Sequence, residues 1–122
     1  MKARTITAVV TAAAVAAGGL AASQMASARP AAGTLSISAD RSGKLKFNKS
    51  SLKTSHGRIT IKMSNPSSLR HSVAIKGKGS GKVVGKGGTS TVTATLKKGR
   101  YTFYCTVPGH SAAGMKGTLT VT

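Results

Sequence analysis

The chain is predicted to be an all-β protein, a two-sheet antiparallel sandwich or barrel of seven or eight short strands. Three features of its 122 residues support this. After residue 28, apolar and polar residues alternate over short runs. Turn dipeptides separate the runs at Ser42-Gly43, His56-Gly57, Asn65-Pro66, Lys98-Gly99 and Pro108-Gly109. No stretch of useful length in that region has a helical period.

The front end reads differently. Lys2 and Arg4 make a positive start, an Ala/Val/Leu-rich stretch runs from Ile6 to about Ala22, and Ala26-Ser27-Ala28 forms an A-x-A cleavage pattern. Residues 1–28 are therefore expected to be a cleavable signal peptide, followed by a short linker (29–33) and one domain (34–122). The apolar run is mostly Ala, Thr and Gly, which partition weakly into hydrocarbon; that favours cleavage over a retained anchor. No later segment is apolar and long enough to span a bilayer as a helix.

The strands follow in order. Leu35 with Ile37, and Leu45 with Phe47, mark two early strands. Arg58 to Met63 places Ile59, Ile61 and Met63 on one face, and His71 to Ile75 does the same for His71, Val73 and Ile75. Thr91 to Leu96 repeats the pattern with Val92, Ala94 and Leu96. Tyr101, Phe103 and Cys105 share a parity, as do Leu119 and Val121. Cys105 is thus expected to point into one end of the core. Between these runs, the Gly/Lys tract Gly77 to Gly88 reads as a mobile, positively charged excursion. It lacks the GxxxxGK[ST] pattern and the strand-to-helix setting of a phosphate loop.

Charge excludes several chemistries. The chain carries 19 Lys and Arg against one acid, Asp40, a net +18. Lys2 and Arg4 fall in the leader, so 17 cations and a net +16 remain after cleavage. A single carboxylate provides neither the acid pair of a glycosidase nor a cluster for Mg²⁺, Ca²⁺ or di-iron. A Ser-His-Asp arrangement would have to recruit Asp40, which has no supporting motif. Enzymatic activity is not expected. Nucleic acid is not expected as a partner either, given the export signal and an aromatic content of 3%.

Cys105 is the only cysteine, so it has no disulfide partner in the chain. A free thiol on an exported protein oxidises or cross-links, and metal ligation removes that difficulty. His110 follows five residues later and Met115 five after that, on one loop. With His71 the set becomes two imidazoles, one thiolate and one thioether. That is the donor list of a mononuclear blue-copper centre, a His₂Cys plane with a weak axial Met. Thiolate and thioether favour Cu(I) while imidazole serves both oxidation states, so one geometry can hold both. Other candidates are weaker. His56 sits in a turn with no ligand spacing, Met63 has inward strand parity, and Asp40 reads as a turn residue. Tyr101 is expected to close a strand corner through its hydroxyl. Tyr104 faces outward beside Cys105.

The stretch Gly99-Arg100-Tyr101-Thr102-Phe103-Tyr104-Cys105, continuing through Pro108-Gly109-His110 to Gly114-Met115-Lys116-Gly117-Thr118-Leu119-Thr120-Val121, resembles the C-terminal signature of plastocyanin-like cupredoxins. Four residues in each gap between Cys105, His110 and Met115 make the loop more similar to auracyanins than to plant plastocyanins. Asn65-Pro66 and His71 to Ile75 resemble the segment bearing the family's first histidine. The resemblance covers residues 34–122. It implies a Greek-key β-sandwich, one type 1 copper per chain held by His71, Cys105, His110 and Met115, and one-electron transfer. One departure is Ser72, where many family members carry an Asn that ties the two ligand-bearing segments. A second is the Lys/Gly tract, which stands where plant plastocyanins carry an acidic patch.

The expected function is an exported electron carrier, periplasmic, extracellular or associated with the cell surface, acting as a monomer. Its redox partner is expected to present an acidic docking surface, and the cationic chain could also associate with an anionic cell surface. A copper carrier or buffer without electron transfer would use the same four ligands.

Overall fold

The computed structural model describes residues 33–122; the predicted signal peptide and most of the linker lie outside the described residues. Among these residues there are eight strands and no helix: β1 (Gly33–Ser38), β2 (Ser51–Thr54), β3 (Gly57–Ser64), β4 (Ala74–Ile75), β5 (Gly79–Ser80), β6 (Thr89–Leu96), β7 (Gly99–Tyr104) and β8 (Lys116–Val121). They form a three-stranded sheet, β1-β3-β6, and a five-stranded sheet, β2-β8-β7-β4-β5.

Alternation decides which faces meet. In β3, Ile59, Ile61 and Met63 are fully buried while Arg58 and Lys62 are exposed. Opposite them, Phe103 of β7 and Leu119 and Val121 of β8 turn inward. The Phe47 and Phe103 rings pack in a tilted arrangement, with centroids 5.6 Å apart. A side chain at position 117 would not fit this core. A Cβ on Gly117 would strike the Phe103 ring and approach the Ser50 carbonyl oxygen to 2.6 Å.

The pairing is not wholly antiparallel. β1 runs parallel to β3, and β2 runs parallel to β8, each joining the edge of a sheet whose remaining pairs are antiparallel. The expected Leu45/Phe47 strand reduces to a single bridge between Ala39 and Phe47. Asp40 explains this. Its carboxylate accepts from the Ser42 hydroxyl and from the N–H groups of Ser42 and Lys44, curling the chain into a turn. The Ser42 hydroxyl first, then the Lys44 and Ser42 N–H groups and nearby Lys46, hold this carboxyl below its ordinary range against a smaller effect of burial. The edge strand falls instead at Ser51–Thr54, where Leu52 is the only large apolar residue and alternation gives little signal.

Two further expectations change. The strand expected from His71 contracts to Ala74–Ile75, with His71 in an isolated bridge to Val84, because the next two backbone donors bond side chains instead of a ladder. Ser72 N–H donates to Cys105 Sγ, and Val73 N–H to Ser90 Oγ. The Gly/Lys tract is not a free excursion. It contains β5, Gly81 N–H donates to the Val73 carbonyl, and Asn65 exchanges backbone hydrogen bonds with Gly87 and Gly88.

Candidate metal centre

Cys105 follows directly on β7, a strand held between β8 and β4, and it is buried. Its N–H donates to the Met115 carbonyl at 3.1 Å, which closes the loop between them at its base. Inside the loop, His110 N–H bonds the Val107 carbonyl, Met115 N–H bonds the His110 carbonyl, and Gly114 N–H bonds the Ser111 carbonyl. Gly109 (φ 85°) and Gly114 (φ 118°) supply the two left-handed positions these reversals require. The loop thereby buries Met115 completely and leaves His110 half-buried between exposed Gly109 and Ala112.

His71 arrives on the segment that leads into β4, the neighbour of β7 in the five-stranded sheet, and is wholly buried. It exchanges both backbone hydrogen bonds with Val84 of the Gly/Lys tract, at 3.1 and 2.8 Å. Asn65 fixes the segment from beneath. Its amide Nδ2 donates to the carbonyls of Leu69 and Val84, and its Oδ1 accepts from Ser67 N–H. Ser72 then joins the two halves of the site. Its N–H points at Cys105 Sγ (3.4 Å), its hydroxyl shares a 2.6 Å hydrogen bond with the Thr106 hydroxyl, and it accepts from Thr106 N–H at 2.9 Å. The serine therefore supplies the tie between the two segments. Asn65, Ser90 and Thr106 carry supporting roles that strand periodicity gave no reason to single out; only the Asn65-Pro66 dipeptide marked that position, and as a turn.

Three donor atoms converge. His71 Nδ1 lies 3.2 Å from His110 Nδ1 and 4.0 Å from Cys105 Sγ, while His110 Nδ1 lies 3.6 Å from Cys105 Sγ. A triangle with these sides has its centre about 2.1 Å from each corner. That matches a bond from a transition metal to imidazole nitrogen (about 2.0–2.1 Å) and falls slightly short of one to thiolate (about 2.3 Å). Two imidazoles sharing one proton would explain the short nitrogen–nitrogen distance but not a sulfur facing both. Burial first, and then the facing His110 ring, hold His71 below the ordinary imidazole range, so it stands neutral with a lone pair to offer. If that lone pair is on Nδ1, the proton sits on Nε2, a buried atom with no hydrogen-bond partner. The donor chemistry and spacing both fit a transition metal held by two imidazoles and a thiolate.

Known proteins agree. Residues 34–122 match the family described as copper binding proteins, plastocyanin/azurin family. The chain belongs to that family. Its cofactor is copper, and its function is of the blue-copper electron-carrier type. The dithionite-reduced auracyanin of the photosynthetic bacterium Roseiflexus castenholzii is 29% identical with a TM-score of 0.68; the match covers 76% of this chain and 99% of that one. Auracyanin A, a "blue" copper protein from the green thermophilic photosynthetic bacterium Chloroflexus aurantiacus, is 25% identical at a TM-score of 0.65, covering 74% and 98%. An azurin from the obligate methylotroph Methylomonas sp. strain J shares the fold at 15% identity and a TM-score of 0.62, covering 73% and 97%. No curated protein matches the sequence.

The remaining sequence candidates fall outside the centre of this cupredoxin. His56 is exposed and its Nδ1 lies 3.0 Å from the Thr122 carbonyl. Met63 fills the core. The Tyr101 hydroxyl donates to the Lys97 carbonyl at 2.7 Å, closing the β6–β7 corner. Tyr104 is half-buried on the outer face of the five-stranded sheet.

Proposed function

We propose that the protein is an exported, non-enzymatic one-electron carrier. His71 Nδ1, Cys105 Sγ and His110 Nδ1 would hold one type 1 copper together with the Met115 thioether. Copper supplies the Cu(II)/Cu(I) couple; the polypeptide holds one geometry for both states and excludes water from the sulfur. The convergence of those three atoms in a buried, hydrogen-bonded cage is the observation that carries this reading.

Each side chain has a distinct task. Ser72 N–H orients the sulfur and offsets part of its negative charge. His110, the only one of the four that reaches the surface, is the exit for the electron. Exposed Ala112 and Ala113 beside it offer a flat surface for brief docking. The excess of cations over Asp40 steers an acidic redox partner toward the protein, as a monomer, and favours retention at an anionic cell surface. Such steering weakens as salt shortens the screening length.

Adding Cu(II) to the mature protein tests the site. An intense blue thiolate-to-copper band with a reversible couple and fast self-exchange is expected. A colourless loaded protein would refute the ligand assignment, and tight Cu(I) retention with sluggish exchange would make it a copper carrier instead. The mass of the exported chain tests the leader, with cleavage expected before Arg29.

A further inference from the structure

The outer face of the five-stranded sheet carries a groove of about 610 Å³, lined by Lys76, Thr102, Tyr104, Ser111, Lys116 and Thr118. Sheet register builds it. Tyr104 pairs with Lys116 and Thr102 with Thr118, and Lys76 N–H bonds the Thr102 carbonyl, so these positions share one face. Every polar side chain in the lining is an ammonium or a hydroxyl. Asp40, the lone acid of the chain, is occupied by Ser42 and Lys44 and does not line the groove. Two cations thus face a concave surface rich in hydrogen-bond donors with no carboxylate to neutralise them.

We propose that this groove is a binding site for a small organic polyanion bearing two or three sulfonate, sulfate or phosphate-ester groups. The volume falls in the range of small-molecule sites, roughly 300–1,000 Å³, and exceeds what one inorganic oxyanion fills. Resting on the copper reading above, the site is also linked to the oxidation state. Three lining residues are chain neighbours of proposed ligands: Tyr104 precedes Cys105, Ser111 follows His110, and Lys116 follows Met115. An anion held there stabilises the more positive Cu(II) centre over Cu(I). By reciprocity the oxidised protein binds the anion more tightly than the reduced protein.

Titration calorimetry of the metal-free protein with 1,3-propanedisulfonate, a non-chelating dianion, tests the site at constant ionic strength. The Lys76→Gln/Lys116→Gln double variant is expected to bind about tenfold more weakly. The charge-matched Arg58→Gln/Lys62→Gln variant, on β3 of the other sheet, is expected to bind like the parent. Equal weakening in both pairs would overturn the site in favour of diffuse attraction. A hexaglutamate peptide that bound more tightly than the disulfonate, through the same two lysines, would overturn the small-ligand assignment in favour of a protein partner. Voltammetry of the copper form tests the linkage: about fivefold tighter binding to Cu(II) lowers the potential by about 40 mV at saturation. An unchanged potential refutes the linkage while leaving the site, and a protein that takes no copper refutes the metal reading while leaving the calorimetry intact.

Discussion

The two segments that carry the proposed ligands are built by opposite strategies. From Cys105 to Met115 the chain closes on itself: its reversals are short-range hydrogen bonds, and its base is clamped by Cys105 N–H on the Met115 carbonyl. Around His71 almost nothing is local. The histidine is positioned by Val84, thirteen residues away, and braced by Asn65, Ser90 and Cys105 through side-chain bonds. The first segment can keep its shape while the rest of the fold shifts; the second is only as good as the sandwich around it. Buried polar residues gather accordingly: Asn65, Ser67, His71, Ser72 and Ser90 all belong to the second segment or its braces. Such a network is stable only when its members are satisfied.

This contrast can be broken in four places. The largest effect belongs to Cys105→Ser, which is expected to abolish the blue band entirely while leaving the β-rich circular dichroism of the metal-free protein intact. A residual blue band would mean that sulfur is not the ligand. Next is Asn65→Ala, which strands the Leu69 carbonyl and the Ser67 N–H and leaves the Val84 carbonyl with His71 N–H as its one remaining donor. We expect a loss of about 3 kcal/mol in denaturant unfolding, together with faster amide exchange in the Gly/Lys tract. If exchange quickened equally in the 105–115 loop, the two segments would not be independent.

Ser72→Ala is a milder and sharper probe. It removes the hydroxyl that pairs with Thr106 but keeps the N–H directed at the sulfur. A cost of about 1 kcal/mol is expected, with the blue band retained. Loss of the band would show that the hydroxyl tie, rather than the backbone, shapes the centre. The smallest effect is that of pH on the metal-free protein. His71 is held below its ordinary value of about 6.5, so the folded state takes up a proton less readily than the unfolded chain. Its contribution is therefore complete above that value and is lost as pH falls below it toward the depressed folded value. Denaturant midpoints compared at about pH 7.5 and about pH 5 should decline in that direction; a flat profile would contradict the burial of a neutral ring.

Much of the fold was legible where alternation is long. β3 buries Ile59, Ile61 and Met63, β6 buries Val92 and Leu96, β7 buries Phe103, and β8 buries Leu119 and Val121, and each matches the inward parity of a run seen in the sequence. The Leu45/Phe47 strand failed because an Asp40-centred turn satisfies the same backbone groups more locally. β2 escaped notice because one leucine in four residues makes no pattern, and its partner β8 lies more than sixty residues away. The Gly/Lys tract looked mobile by composition, yet its backbone donors find carbonyls on Asn65, His71 and Val73.

The identity and spacing of the donors were fixed by the chain alone: one thiol, an imidazole and a thioether within eleven residues, plus a single inward-parity histidine upstream. Local chemistry suffices there because short loops leave little conformational choice. Which backbone groups would brace that histidine, and that a serine hydroxyl would bridge to Thr106, depended on which distant segments the folded sheets bring side by side. Those contacts join residues thirteen to thirty-four positions apart, and pairwise distance across a closed core is information that no local pattern of residues contains.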